Sequence, residues 1–95
     1  MKLDNVRRST RKEKKYMATF SLDNGSKRVV HFGQKGSTTF TEGASELKKQ
    51  NYLKRHRVRE NWNKPMTAGA LSRWILWNKR SLRESIADFR KRFNI

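Results

Sequence analysis

The segment that most constrains the fold is TAGALSRWILWNKRSLRESI, residues 67–86, because it concentrates large apolar residues in a strongly polar chain. Trp74 and Trp77 lie three positions apart in it, with Ile75 and Leu76 between them. Only 34% of all residues are apolar, whereas ordinary globular chains reach about 45–50% with glycine counted. Such a chain must build its core from few residues, so we expect this segment to be the centre of the fold and not an exposed contact surface.

The C-terminal part is predicted to contain two helices, separated by Asn78-Lys79-Arg80. Thr67 can cap the first helix, and Ser81 with Glu84 has the capping-box spacing that begins the second. Apolar residues recur at helical spacing in both segments. They are Leu71, Trp74, Ile75, Leu82, Ile86, Phe89 and Phe93.

The N-terminal half has the alternation of β-strands. Apolar and polar residues alternate over residues 16–22, and residues 27–32 are rich in β-branched side chains. Asn24-Gly25 between them is the favoured pair for a type I′ hairpin turn. A short third strand is expected at Thr38–Thr41, and Ser45 is expected to cap a first helix over residues 46–61.

These elements predict an α+β fold: an N-terminal β-hairpin or small antiparallel sheet, followed by three short packed helices. Residues 1–15, which are mostly charged or small and polar, are expected to form a basic disordered arm. Residues 16–95 then form a single compact domain. Its predicted structural core is Tyr16, Phe20, Leu71, Trp74, Ile75, Leu82, Ile86 and Phe89. The alternative for the tryptophans is that Trp62 or Trp77 stays exposed and stacks on bases.

The charge of the chain is strongly unbalanced, with 24 Lys and Arg against 8 Asp and Glu, a formal net charge of +16. Residues 1–15, 46–72 and 73–95 each carry seven basic and two acidic side chains, whereas residues 16–45 are nearly neutral. A protein with this field attracts polyanions. Nucleic acid is the first candidate, followed by an anionic membrane surface or an acidic protein.

We expect the basic side chains to lie along the N-terminal arm and on the outer faces of the helices. A charge run is usually only a solvated face, but the imbalance here favours contact with a polyanion. The candidate polyanion-binding residues are Arg7, Arg8, Arg11, Lys12, Lys48, Lys49, Lys54, Arg55, Arg57, Arg59, Arg73, Lys79, Arg80, Arg83, Arg90, Lys91 and Arg92. No helix-turn-helix, zinc-finger or RNP-like pattern accompanies them, so sequence-specific readout is not indicated.

No catalytic or metal-binding pattern is found. His31 and His56 are the only histidines, cysteine is absent, and the scattered carboxylates form no acid–base pair. We therefore expect no enzymatic activity, no catalytic residues, no metal, no cofactor and no small-molecule substrate. No apolar run approaches the about 20 residues that cross a bilayer, so no transmembrane segment is expected.

Five stretches together resemble a family of small, basic, uncharacterised proteins of nucleocytoplasmic large DNA viruses, the giant viruses. They are KKYMATF, VVHFGQKG, YLKRH, ENWNKPMTAGALSRWILWNK and LRESIADFRKRF, and the resemblance covers about residues 14–93. The resemblance implies a viral, non-enzymatic, virion-associated protein.

Two functions follow as the main hypotheses, and a third stays open, namely a basic subunit of a viral transcription or replication complex. The first is a virion structural protein, such as a minor capsid or internal cement component that contacts acidic partners among the other virion proteins. The second is a non-specific nucleic-acid-binding protein that condenses or organises the double-stranded viral DNA. In either case the expected location is the virion, and the host cytoplasm or nucleus during assembly.

Overall fold

A computed structural model describes all residues, Met1–Ile95, as a three-stranded antiparallel sheet followed by three helices. The strands are β1 (Lys2–Arg8), β2 (Lys14–Ser21) and β3 (Lys27–Gln34), in the spatial order β1-β2-β3. The predicted α+β class is therefore confirmed at this level.

One face of the sheet is buried against the helices. Ala18, Phe20 and Phe32 have no exposed surface, and Leu3 of β1 lies opposite Phe20 in the register. Because successive side chains of a strand point to opposite faces, Thr19 and Ser21 of β2 lie on the outer face of the sheet.

The N-terminal residues differ from the predicted arm, because Lys2–Arg8 forms an edge strand. β1 pairs with β2 from Lys2 opposite Ser21 to Arg8 opposite Tyr16. Leu3 is only 4% exposed. Backbone pairing and one buried side chain thus order a segment whose composition is that of a disordered tail, and the domain includes it.

The two turns of the N-terminal half also differ from expectation. The β2–β3 connection covers residues 22–26, and the Leu22 N–H donates to the Ser26 carbonyl at 2.8 Å, so three residues lie inside this closing pair. Gly25 has φ of 87°, but Asn24 does not adopt a positive φ, so the turn is not type I′. The predicted strand at Thr38–Thr41 is instead a 3₁₀ turn over Phe40–Glu42, because the Glu42 carboxylate accepts from both the N–H and the hydroxyl of Thr39.

The helices are α1 (Glu46–His56), α2 (Ala68–Leu71), and α3 (Leu82–Phe93). Ser45, Thr67 and Ser81 each accept a backbone N–H at the helix start, as predicted. α1 ends at His56 and not near residue 61. α2 continues directly into a π-helical turn, Ser72–Leu76, where the Trp77 N–H donates to the Ser72 carbonyl. None of the helices combines the length and the hydrophobicity needed to cross a membrane.

The core joins the sheet to residues 67–86. Of the predicted core residues, Phe20, Leu71, Ile75 and Phe89 are fully buried, whereas Tyr16, Trp74, Leu82 and Ile86 lie half-buried at its margin. The wide π turn adds a residue to the helix and so rotates the positions after it. Leu76 and Trp77 consequently enter the core, with 1% and 5% exposure.

Candidate nucleic-acid interface

A groove of about 350 Å³ lies between the end of β3, α1 and α2. We call it the α1 groove, and its chemistry comes from Lys14, Gln34, Lys48, Tyr52, Arg55 and His56, with Glu60 and Trp77 behind them. Its volume falls in the range of about 300–1,000 Å³ that is usual for ligand sites. Its lining brings aromatic rings and cationic side chains together.

Three rings stack through the wall of the groove, and we call them the aromatic column. Trp77 stacks on Tyr52 with ring centroids 4.4 Å apart and planes 10° apart. Tyr52 stacks in turn on His56 with centroids 4.1 Å apart and planes 23° apart. The column begins at buried Trp77 and ends at His56, whose side chain keeps 37% of its surface exposed.

Tyr52 is the only buried residue of α1, and it stays protonated in the column. Burial raises the pKa of its hydroxyl, and the nearby Glu60 carboxylate raises it further. A hydrogen bond with Ser72 acts in the opposite direction on this pKa but does not outweigh burial. Tyr52 therefore serves as an uncharged ring that connects α1 to the π-helical turn.

Glu60 fixes the outer end of the column. One of its carboxylate oxygens lies 2.9 Å from His56 Nδ1, and the other accepts from Trp62 Nε1 at 2.9 Å. A Cβ at Gly69 would lie only 3.0 Å from the Glu60 carboxyl carbon, so the absence of a side chain there lets Glu60 approach α2. The contact with Glu60 therefore fixes the Nδ1 edge of the imidazole, and His56 is one of the residues that line the groove.

The groove has a cationic rim. Lys48 and Arg55 are seven positions apart, which places them on one side of α1. Lys14 approaches from β2, where it pairs with Gln34. None of the three lies within ion-pair distance of a carboxylate. A second recess, which contains Arg8, Lys15 and Lys35, shares Lys14 with the groove and extends the positive surface toward β1.

Five of the predicted polyanion-binding residues also make contacts within the molecule: Lys49, Arg73, Arg80, Arg90 and Arg92. Of these, Arg80, Arg90 and Arg92 stay exposed. Lys49 and Arg80 lie over the Phe40 ring, 4.4 Å and 3.7 Å from its centroid. Lys49 also donates to the Asn78 carbonyl and Arg80 to the Ala44 carbonyl. These two side chains close the 3₁₀ turn onto the helices and contribute packing and hydrogen bonds more than free charge.

Arg73 departs furthest from the predicted outer face. It donates to the Trp77 carbonyl at 2.8 Å and lies 4.1 Å from the centroid of the Trp74 ring. Arg92 lies 3.6 Å from the centroid of the same ring. Burial lowers the pKa of the Arg73 guanidinium, and the positive charge of Arg92 lowers it further. The pair encloses Trp74, which explains why this tryptophan sits at the core margin.

The remaining predicted residues stay exposed but do not all come together. Arg7, Arg11 and Lys12 are at the end of β1 and in the turn that follows it, and Lys54, Arg57 and Arg59 lie beside and beyond the end of α1. Lys79, Arg83 and Lys91 lie just before α3 or on it. Only Lys48 and Arg55 of the predicted set line the α1 groove.

Sequence reasoning missed Lys14, Tyr52 and His56 as site residues. The four-residue spacing of Tyr52 and His56 in a predicted helix indicates that their rings meet. Nothing local indicates that Trp77 completes the column or that Lys14 reaches α1. Of the two tryptophans proposed for base stacking, Trp77 is buried, whereas Trp62 is half-buried and its Nε1 donates to Glu60. No three His, Asp or Glu side chains are close enough together to hold a metal ion.

Residues 5–56 match the DUF5754 family, a family of unknown function. The chain belongs to this family. The part matched to DUF5754 contains most of β1, all of β2 and β3, and α1, and therefore the cationic rim of the groove. No curated protein and no solved structure matches the chain.

Proposed function

We propose that this protein is a non-enzymatic binding protein that holds the phosphate backbone of nucleic acid in the α1 groove, without sequence preference. The observation that carries the proposal is the unpaired rim of Lys14, Lys48 and Arg55 around an open groove. Phosphates that displace counterions from such a rim gain affinity without any base readout.

The distribution of the carboxylates supports the same function. Four of the eight form ion pairs with Lys, Arg or the N-terminus within the molecule, and they include Asp4 with Lys27, and Glu42 with Lys15. Glu60, the acidic residue of the groove, accepts from His56 and Trp62. None of these contacts involves Lys14, Lys48 or Arg55, so no ion pair neutralises the cationic rim, and its field is available to an external polyanion.

The test compares two triple variants that lose the same charge. The rim variant removes the three charges of the rim, through Lys14→Gln, Lys48→Gln and Arg55→Gln. The control variant removes three exposed charges elsewhere, through Arg28→Gln, Arg83→Gln and Lys91→Gln. Each variant loses three positive charges from the formal +16. Binding to a DNA oligonucleotide is measured by fluorescence anisotropy over a series of salt concentrations.

We expect the rim variant to reduce the slope of log K against log salt by about 2–3. We expect the control variant to change it by less than about 1. Equal losses in the two variants would contradict the proposal, because net charge alone would then explain the binding.

A second proposal is the virion structural role. Leu47 and Val58, on α1 and just beyond it, are 71% and 79% exposed, and a neighbouring virion protein would cover these apolar side chains. That the neighbour is a virion protein of a large DNA virus rests on the resemblance alone. Stepwise stripping of virions with detergent and salt, followed by mass spectrometry, tests it: retention with the capsid shell supports this role, and release with the genome opposes it.

A further inference from the structure

His56, the outer ring of the aromatic column, is stacked on a protein ring on one side only. Tyr52 covers one face of the His56 imidazole, and Glu60 holds its Nδ1 edge. His56 lines the α1 groove, and 37% of its side-chain surface is exposed. A planar group placed there would extend the stack by one layer.

The cationic rim surrounds the same position. Arg55 immediately precedes His56 in α1, Lys48 lies two turns earlier, and Lys14 lies across the groove. A ligand with a flat ring attached to a chain of phosphates matches this arrangement, since stacking and backbone neutralisation are combined in sites for single-stranded nucleic acid. Bases within a duplex are stacked on both faces, so they cannot offer a free face to His56.

We infer that the α1 groove binds single-stranded nucleic acid, with one nucleobase stacked on His56 as the fourth layer of the aromatic column. The inference rests on the proposed function. It adds that the nucleic acid is single-stranded, and that stacking on His56 favours single strands over a duplex. The base is held by its face, so any of the four bases fits. Gln34 and Ser37 line the same groove and leave room for polar contacts to sugar or base edges.

The experiment separates bases from phosphates. An eight-nucleotide oligo-dT and an eight-unit abasic oligomer carry the same backbone charge, and a duplex of the same length provides the stacked form. Affinities are measured at one salt concentration for the natural protein and for His56→Ala, His56→Phe and Arg55→Gln. The His56→Phe variant keeps a ring in the column, so it serves as the matched control for folding and stacking.

We expect oligo-dT to bind about 10-fold more tightly than the abasic oligomer. His56→Ala should abolish that ratio, His56→Phe should preserve it, and Arg55→Gln should weaken both ligands equally. The inference is overturned if the two oligomers bind equally to the natural protein, if His56→Ala leaves the ratio unchanged, or if His56→Ala weakens binding of the duplex as much as binding of oligo-dT.

Failure of the proposed function gives a different result. Each oligomer would then bind to the rim variant of Lys14, Lys48 and Arg55 with the same affinity as to the natural protein. A normal rim effect without a dependence on bases therefore overturns only the stacking inference.

Discussion

Tyr52 and Trp77 lie face to face between α1 and the π-helical turn, with ring planes 10° apart. Tyr52 is the sole buried residue of α1. The attachment of this helix to the rest of the domain therefore depends largely on one pair of rings. The same pair forms the inner part of the column that ends in the groove, so stability and the site share these residues.

Replacing Trp77 by alanine should remove much of this attachment. We expect Trp77→Ala to lower the free energy of unfolding by about 3–5 kcal/mol, a large fraction of the about 5–14 kcal/mol available to a chain of this length. Trp77→Phe, which retains a ring, should lose less. Urea denaturation followed by circular dichroism measures both.

The matched control is Trp62→Ala, since Trp62 is half-buried at the surface. It should cost clearly less than Trp77→Ala. Similar losses for the two alanine variants would show that the Tyr52–Trp77 stack has no special weight in the fold.

Gly33 allows the sheet to approach the π-helical turn. It has φ of 80°, and a Cβ there would lie 2.8 Å from Leu76 Cδ1. Gly36 has φ of 95° but no atom within 4 Å of a Cβ position. We expect Gly36→Ala to cost about 1 kcal/mol from backbone strain alone. Gly33→Ala should cost about 1–3 kcal/mol more, and equal melting temperatures of the two variants would refute the close approach.

Arg90 connects the two ends of the chain. Its Nη2 donates to the Leu3 carbonyl at 3.1 Å, and so α3 supports the edge strand β1. We expect Arg90→Met to increase amide hydrogen exchange in residues 2–8 by about 5–10-fold, as loss of about 1 kcal/mol implies. Arg83→Met, an exposed position on the same helix, is the control. Absence of protection over residues 2–8 in the natural protein would contradict the assignment of β1.

Acid should weaken the 3₁₀ turn through Glu42. Burial alone would raise the pKa of this carboxyl, but hydrogen bonds from Lys15 and Thr39 outweigh it and hold the pKa below its ordinary value of 4.5. The unfolded chain therefore binds the proton more readily. The stabilisation is fully present above pH 4.5 and is lost as the pH falls through the lower folded value.

Melting temperatures of Glu42→Gln and of the natural protein should consequently differ most at neutral pH. The difference should shrink as the pH is lowered below about 4. Glu13→Gln, in an exposed turn, should show no such trend. A difference that grows toward acid pH would have the wrong sign for this ion pair.

The elements that the sequence predicted well are those specified by local chemistry. Ser45, Thr67 and Ser81 cap helices because a hydroxyl accepts a nearby backbone N–H, which depends on neighbouring residues only. Gly25 marks the hairpin because glycine readily adopts a positive φ, which is also a local property. The loop nevertheless has one residue more than a type I′ turn. These features need no knowledge of the tertiary fold.

The features that sequence reasoning missed depend on contacts between distant residues. β1 is ordered by pairing with β2 and by Arg90, 87 positions from Leu3. Arg73 and Arg80, which contact aromatic rings and carbonyls within the molecule, have the same guanidinium group as Arg55 on the rim. Whether a guanidinium faces solvent or a ring is decided by packing, so charge counting overestimates the binding surface and does not locate the groove.

The most direct measurement of the central claim is an NMR titration of the ¹⁵N-labelled protein with oligo-dT at about 0.15 M salt, where exposed charges are strongly screened. We predict that the largest shift changes occur at the amides of Gln34, Ser37, Lys48, Arg55 and His56. The indole N–H of Trp77 should shift with them through the column. Changes that are largest at Arg83 and Lys91 on α3, or that spread evenly over the basic surface, would contradict binding in the α1 groove.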